Sequence, residues 1–298
     1  MAQWSTEPAG ALVRSAQAFA RNARREQFWR SPLIGFRDPR YWQILSLAVL
    51  LAFGLCALGF DQSPVSVAAI LCCALMVQWI CCKAARLLHY DPLSALISAL
   101  SLCLLLRAEQ LWVLAAASVL AIASKFLIRC NGKHLFNPTN FAIGVMLLSG
   151  MAWISPAQWG SRTWLAFLLS GLASLVLSRA KRAGVALAFL ATFVGILFAR
   201  ALYLGDPWAI PIKQMQSGAL LVFAFFMISD PKTTPNQRGM RIAFGVMVAV
   251  LAAYLQYVAY LPQGLMYALF FASPIVPLLD QLCAVPTQRR YQWSKPTV

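Results

Sequence analysis

Lysine and arginine alternate along this chain in a way that few folds can use. Ten apolar runs can be read, at 42–60, 65–82, 92–106, 111–128, 139–155, 163–178, 184–204, 214–228, 242–260 and 264–283. Setting the N-terminus on one side of a barrier places 21 of the Lys and Arg residues on that side and only 4 (Arg107, Arg162, Arg200 and Lys213) on the other. Every connection on the first side contributes, and gaining or losing one run would scramble the pattern. A bilayer sorts charge in this manner, with the basic side cytoplasmic. The expected architecture is therefore all-α, a polytopic protein of about ten transmembrane helices. Both termini are expected in the cytoplasm and the body in the cell inner (cytoplasmic) membrane.

Composition agrees. The chain is 60% hydrophobic and 11% charged, whereas a soluble domain carries roughly a quarter charged residues. The net charge of +16 sits in short clusters between apolar runs, not on one face or arm, so no nucleic-acid partner is expected. Most of the eight cysteines lie inside apolar runs without C-x-x-C spacing. They read as small apolar side chains, and no metal site is expected. Residues 1–40 are polar and basic and lack the apolar core of a cleavable signal. They divide the chain into a cytoplasmic lead (1–40), a transmembrane body (41–283) and a cytoplasmic tail (284–298). Arg21, Arg24 and Arg25 beside Phe19, Phe28 and Trp29 suit either a helix on the membrane surface or an unstructured anchor.

Three runs, 92–106, 163–178 and 214–228, are short. Fifteen residues of helix reach about 23 Å, against a hydrocarbon core of about 30 Å. If ten helices form two halves of five, the halves have inverted topology, and the third and eighth runs are equivalents. Short segments at matching positions of inverted halves point to a central site.

Two polar segments mark where that site would be built. Lys133-His134-Leu135-Phe136-Asn137-Pro138-Thr139-Asn140-Phe141 leads into the fifth run, and Ser229-Asp230-Pro231-Lys232-Thr233-Thr234-Pro235-Asn236-Gln237-Arg238-Gly239 leaves the eighth. Each sets a proline beside amide, hydroxyl or carboxylate groups at a helix end, where backbone groups lack helical partners. Such ends can grip a polar planar molecule, since Asn presents both a donor and an acceptor. The plainer alternative is that Asn137 or Thr139 simply caps a helix. Ser94 and Ser98, four apart on the short third run, share a face and can serve a ligand or a neighbouring helix. Only two histidines, His89 and His134, are present, both near a run boundary, and no acid lies mid-run. A membrane bis-histidine haem and a self-contained ion pump are not expected.

Several motifs resemble, in order, the RnfD/NqrB family, membrane components of Rnf complexes and of sodium-translocating NADH:quinone oxidoreductase (Nqr). They are Phe136-Asn137-Pro138 after a run holding Lys125, Ser94 to Ser98, Ser217-Gly218-Ala219, and Phe225 to Pro231. Asn236-Gln237-Arg238-Gly239, Pro262-Gln263-Gly264 and Pro274 to Asp280 complete the set. The resemblance implies two inverted five-helix repeats, similar to urea transporters, and electron transfer through flavins. Carried over, a non-covalent flavin (riboflavin or FMN) would lie among Ser98, Asn137 and Asp230. Ser94, Pro138, Thr139, Asn140, Pro231 and Thr233 would surround it, with His134 nearby and Lys125 or Lys133 compensating the reduced ring. Two departures stand out. The stretch from Ser155 to Thr163 lacks the family's S/T-x-A-T motif, so covalent FMN is not expected, and His134 replaces a family Asn. The implied partners are other components of a membrane redox complex, a flavin- or haem-carrying protein outside the membrane, and quinone. A channel for a small polar solute, or a scaffold protein without cofactor, uses the same architecture.

Overall fold

The structure, a computed structural model, describes residues 39–57, 59–86, 90–130, 133–154, 183–230 and 232–282. The basic lead, the run at 163–178, Pro231 and the C-terminal tail lie outside the described residues. The other nine apolar runs are helical. In chain order they give α1 (Pro39–Ala57), α2 (Pro64–Ala84), α3 (Leu93–Leu105), α4 (Leu111–Leu127) and α5 (Pro138–Leu148), then α6 (Ala183–Leu204), α7 (Ala209–Met215), α8 (Gly218–Val222), α9 (Arg238–Tyr257), α10 (Gly264–Ala272) and α11 (Val276–Leu282). Two short antiparallel pairs close the bundle ends. β1 (Leu106–Arg107) pairs with β4 (Trp153–Ile154), and β2 (Arg129–Cys130) pairs with β3 (Lys133–His134).

Helix starts follow local chemistry. The Ser63 side chain accepts from the Ser66 amide before Pro64 opens α2, and Asn137 and Pro138 repeat that arrangement at α5. Proline suits the first helical turn because its missing N–H has no helical partner there.

The protein is a polytopic membrane protein, but its helices are not ten equal spans. By length and composition, Pro64–Ala84, Gly184–Leu204, Arg238–Tyr257 and Gly264–Leu282 can each cross a membrane. A fifth span forms if Ala209–Met215 and Gly218–Met227, bent by 50°, count as one. The run at 92–106 yields a helix of 13 residues and that at 139–155 one of 11. These reach only about 20 Å and 17 Å. Their burial explains how they persist. Ala95 and every residue from Ser98 to Leu105 of α3 are buried, so other helices, not lipid, satisfy them.

Packing is ordered around these short pieces. Helix α2 lies along α4, α1 along α3, and α4 along α5, while in the second set α6 lies along α9 and α9 along α10. Glycine permits the closest of these approaches. A Cβ on Gly245 would stand 2.7 Å from the Val185 carbonyl and 3.2 Å from the Phe189 amide, so α9 and α6 meet backbone to backbone. Gly144 of α5 receives the Phe270 ring of α10 in the same way.

Exposed Trp112, Trp153, Tyr203, Trp208 and Tyr260 border the connections expected on the side poor in Lys and Arg. Aromatic residues with a polar tip favour the membrane–water boundary. Exposed Leu45, Met76, Ile80, Leu187 and Val250 along the helix flanks are suited to lipid.

Gly245→Ala is expected to lower the thermal unfolding midpoint in detergent, by the equivalent of about 1–3 kcal/mol for overpacking. Gly195→Ala, whose added methyl meets nothing within 4 Å, should leave the midpoint unchanged or raise it by less than about 1 kcal/mol. Equal responses of the two variants would contradict the backbone contact.

Candidate functional site

The site begins with a carbonyl that its own segment satisfies only weakly, through the Asp230 amide at 3.4 Å. Beyond α8 the backbone widens into a π-helical segment, Phe223–Met227, closed by the Ile228 amide on the Phe223 carbonyl at 3.0 Å. In a continuing α-helix the Met227 carbonyl would accept from residue 231. That residue is proline and has no N–H. The Asn137 side chain takes this position, its Nδ2 donating to the Met227 carbonyl at 3.3 Å and, at the long limit of 3.5 Å, to Asp230 Oδ2. π-Helical turns recur at functional sites.

Asn137 can reach there because Pro138 starts α5 directly behind it. Its backbone is extended (φ −61°, ψ 125°), and its Oδ1 accepts from the Asn140 amide at 3.1 Å. The following turn repeats the pattern toward other elements. Thr139 Oγ1 approaches the Ser98 carbonyl of α3 at 3.5 Å, and Asn140 Nδ2 donates to the Met266 carbonyl of α10 at 3.0 Å. One buried helical turn is thus joined to α3, to α10 and to the end of the π-helical segment. Asn137, Thr139 and Asn140 are 5%, 4% and 0% exposed.

The cap reading of Asn137 and the binding reading meet in this geometry, since the residue caps α5 and also touches Asp230. Asp230 Oδ1 accepts from the Lys232 amide at 2.9 Å, and Thr233 Oγ1 donates to the Asp230 carbonyl at 3.4 Å. Burial holds the Lys232 ammonium below its usual range, with Asp230 pulling the other way. Buried Lys125 of α4 donates to the Ser94 carbonyl at 2.7 Å and to Ser94 Oγ at 3.1 Å. Ser98 Oγ donates to the same carbonyl at 3.1 Å. Ser94 therefore serves a neighbouring helix, while the Ser98 hydroxyl stays on its own.

Lys133 and His134 stand in the β2–β3 hairpin. Lys133 Nζ donates to the Thr234 carbonyl at 2.7 Å and to Asp280 Oδ2 at 2.8 Å, so its charge is engaged away from Lys125. His134, paired in register with Arg129, is 6% exposed. Burial first, and then nearby Lys232, Arg129 and Lys125, push its imidazole down to about 3. Pro138 is buried at the start of α5.

One acceptor remains open at the centre. Asn140 Oδ1 has no hydrogen-bond partner among the described residues, although the residue is 0% exposed. Leaving such an atom unpaired costs about 1–3 kcal/mol. An N–H or O–H donor brought to Asn140 would relieve that cost. Asp230 supplies negative charge and Lys125 positive charge at the same junction. A polar heterocycle with ring N–H groups fits this donor and acceptor set.

Sequence reasoning set Asn236 within the second polar segment but missed Asp280 as a site neighbour, and it missed the Met227 and Met266 carbonyls. A backbone carbonyl has no residue-type signature, although the proline at 231 marks the first of the two. Among the described residues, no group of three or more His, Cys, Asp or Glu side chains can hold a metal ion.

Residues 151–288 match the model of the NQR2, RnfD, RnfE family. The chain is similar to the D component of the ion-translocating oxidoreductase complex of Escherichia coli O1:K1 / APEC and to that of Escherichia coli O45:K1 (strain S88 / ExPEC). Each is 31% identical over 134 residues, 45% of this chain and 36% of the relative. The protein of the same description from Escherichia coli O9:H4 (strain HS) is 30% identical over the same length. The chain thus spans little more than a third of the curated relatives it matches. The likeness first seen in the motifs is a likeness to this family. Asp230 and the motifs after it lie inside the matched region, and Asn137 to Asn140 lie before it.

Asn137→Ala should cost about 1–3 kcal/mol in detergent unfolding, because it removes a cap and one of the two donors to the Met227 carbonyl. Asn137→Ser, which keeps the cap, should cost less. A second prediction concerns pH. An unfolded histidine titrates near 6.5 and folded His134 near 3. The folded state thus disfavours the proton, and the histidine's contribution to stability is complete above pH 6.5 and is lost as pH falls toward 3. Unfolding midpoints measured across that range should fall less steeply for His134→Gln than for the parent chain.

Proposed function

We propose that this chain is a membrane-embedded electron-transfer component of an ion-translocating oxidoreductase complex of the Rnf or Nqr kind, holding one non-covalent flavin, riboflavin or FMN, at the α5 junction. The single observation that carries the reading is the open Asn140 Oδ1 inside a fully buried polar turn, joined through Asn137 to Asp230. A flavin bound there would supply the redox chemistry, accepting and passing on electrons. The chain's own residues have narrower tasks. Asn140 and Asp230 accept hydrogen bonds from ring N–H or ribityl hydroxyl groups. Lys125 offsets negative charge gained on reduction. The flanks of α3, α5 and α10 exclude water, which strengthens each of these interactions.

The similarity to the D component of ion-translocating oxidoreductase complexes supports a place among other proteins of a membrane redox complex. A flavin- or haem-carrying protein outside the membrane would complete the route on one side, with quinone or a reductase at the other end. The inner membrane with cytoplasmic termini is the setting that matches the charge alternation.

One observation favours a second reading, a scaffold protein without cofactor. Asn137, Thr139 and Asn140 each already bond to a different element, so the turn holds the bundle together whether or not a ligand is present. Flavin content separates the two. The purified full chain in detergent is expected to show visible flavin absorbance and to release riboflavin or FMN on acid extraction. Asn140→Leu should weaken flavin binding about tenfold, the worth of one buried hydrogen bond, without changing helix content. A colourless chain that takes up neither flavin on reconstitution would overturn the electron-carrier reading in favour of the scaffold.

A further inference from the structure

Asp280 lies outside the junction described above, yet its carboxylate accepts three hydrogen bonds. Its Oδ2 accepts from Lys133 Nζ at 2.8 Å and from Asn236 Nδ2 at 3.1 Å, and its Oδ1 accepts from the Asn236 amide at 2.7 Å. Lys133 also donates to the Thr234 carbonyl at 2.7 Å, and Arg241 Nη1 to the Asn236 carbonyl at 2.8 Å. The Lys133 and Asp280 side chains are only 10% and 15% exposed. Charge-assisted bonds shielded from water are stronger than surface pairs.

The three partners come from distant parts of the chain. Lys133 sits in the hairpin four residues before Asn137. Thr234 and Asn236 sit in the connection that carries Asp230. Asp280 sits on α11, at the end of the span that begins beside Asn140. Each arm of the junction is therefore tethered, just beyond its site residue, to the same carboxylate.

We infer that Asp280 is a positioning residue: it clasps the hairpin and the 229–237 connection to the end of α11 and so holds Asn137 and Asp230 in contact beside the proposed ligand. This rests on the proposed flavin site for the ligand's identity, but not for the clasp. Removal of the carboxylate charge weakens its bonds from Lys133 and from Asn236 together. The connection can then swing about α8 and α9, carrying Asp230 away from Asn137.

The test uses the purified full chain in detergent, with Asp280→Asn and Asp280→Glu compared with the parent. Hydrogen exchange of the 229–237 amides reads the clasp without any ligand. Exchange there should rise about tenfold or more in Asp280→Asn, the loss of roughly one charge-assisted bond, while α2 stays as protected as in the parent. Riboflavin and FMN binding should weaken by a similar factor, the bound-flavin spectrum should shift, and Asp280→Glu should restore both. Unchanged exchange in Asp280→Asn overturns the clasp whatever the flavin result. Faster exchange with unaltered flavin affinity and spectrum overturns the positioning role. If the parent binds neither flavin while exchange still responds, the flavin reading fails and Asp280 is a structural tether only. Should Asp280→Asn fail to fold, Lys133→Met, which removes the hairpin's donor to Asp280 and to the Thr234 carbonyl, replaces it, with the same rise in exchange at 229–237 expected and unchanged exchange overturning the clasp.

Discussion

The Met227 carbonyl is the constraint on which the centre of this protein turns. A buried backbone oxygen without a donor is costly, and in lipid no water reaches it. Proline at 231 removes the donor that a regular helix would supply. The chain answers with a long bond from the Asp230 amide, at 3.4 Å, and with the side-chain amide of Asn137, from a turn 90 residues away in sequence. That single need brings the start of α5 to the end of the π-helical segment. Once there, Thr139 and Asn140 fall within reach of α3 and α10. The short helices make sense in this light. They are not failed spans but buried struts whose ends meet at polar joints, while the longer α2, α6, α9 and the α10–α11 span face the lipid.

Much of the fold was legible in the sequence because the bilayer imposes it. Run lengths and the Lys and Arg alternation depend on solvent, not on partners, and nine runs are helical within the described residues. What the runs did not reveal is where a helix stops short of spanning. The run at 139–155 looks continuous in hydropathy, but α5 ends at Leu148 and Gly150 adopts a φ of +71°, after which β4 pairs back to β1. Hydropathy carries no information on that turn. Glycine at 150 was the available sign, since only a residue without a Cβ enters that region at little cost.

The site was legible to a lesser degree, and for a clear reason. Proline beside amide or carboxylate groups at a helix end flags an unsatisfied backbone, which drew attention to Asn137 and Asp230, and the two are in contact. Lys125 and Lys133 looked interchangeable by charge alone. Geometry separates them, because Lys125 points to Ser94 of α3 and Lys133 to Asp280 of α11. Asp280 was visible as a residue type but not as a neighbour. Sequence separation of 147 positions from Lys133 hides a pairing that only the return of the last span creates.

A polar joint and a ligand site are hard to tell apart inside a membrane, because both demand saturated hydrogen bonding. The distinction lies in what is left over. A pure joint exhausts its groups, as Asn137 does by donating through Nδ2 and accepting through Oδ1. Asn140 does not, since its Nδ2 is bonded and its Oδ1 has no partner among the described residues. A scaffold gains nothing from that asymmetry, and a leucine would pack the same space without the desolvation cost of an amide oxygen. A ligand donor turns the same atom from a liability into a specific contact. The surplus acceptor, one turn beyond the Asn137 that contacts Asp230, is what a ligand reading uses and a joint does not.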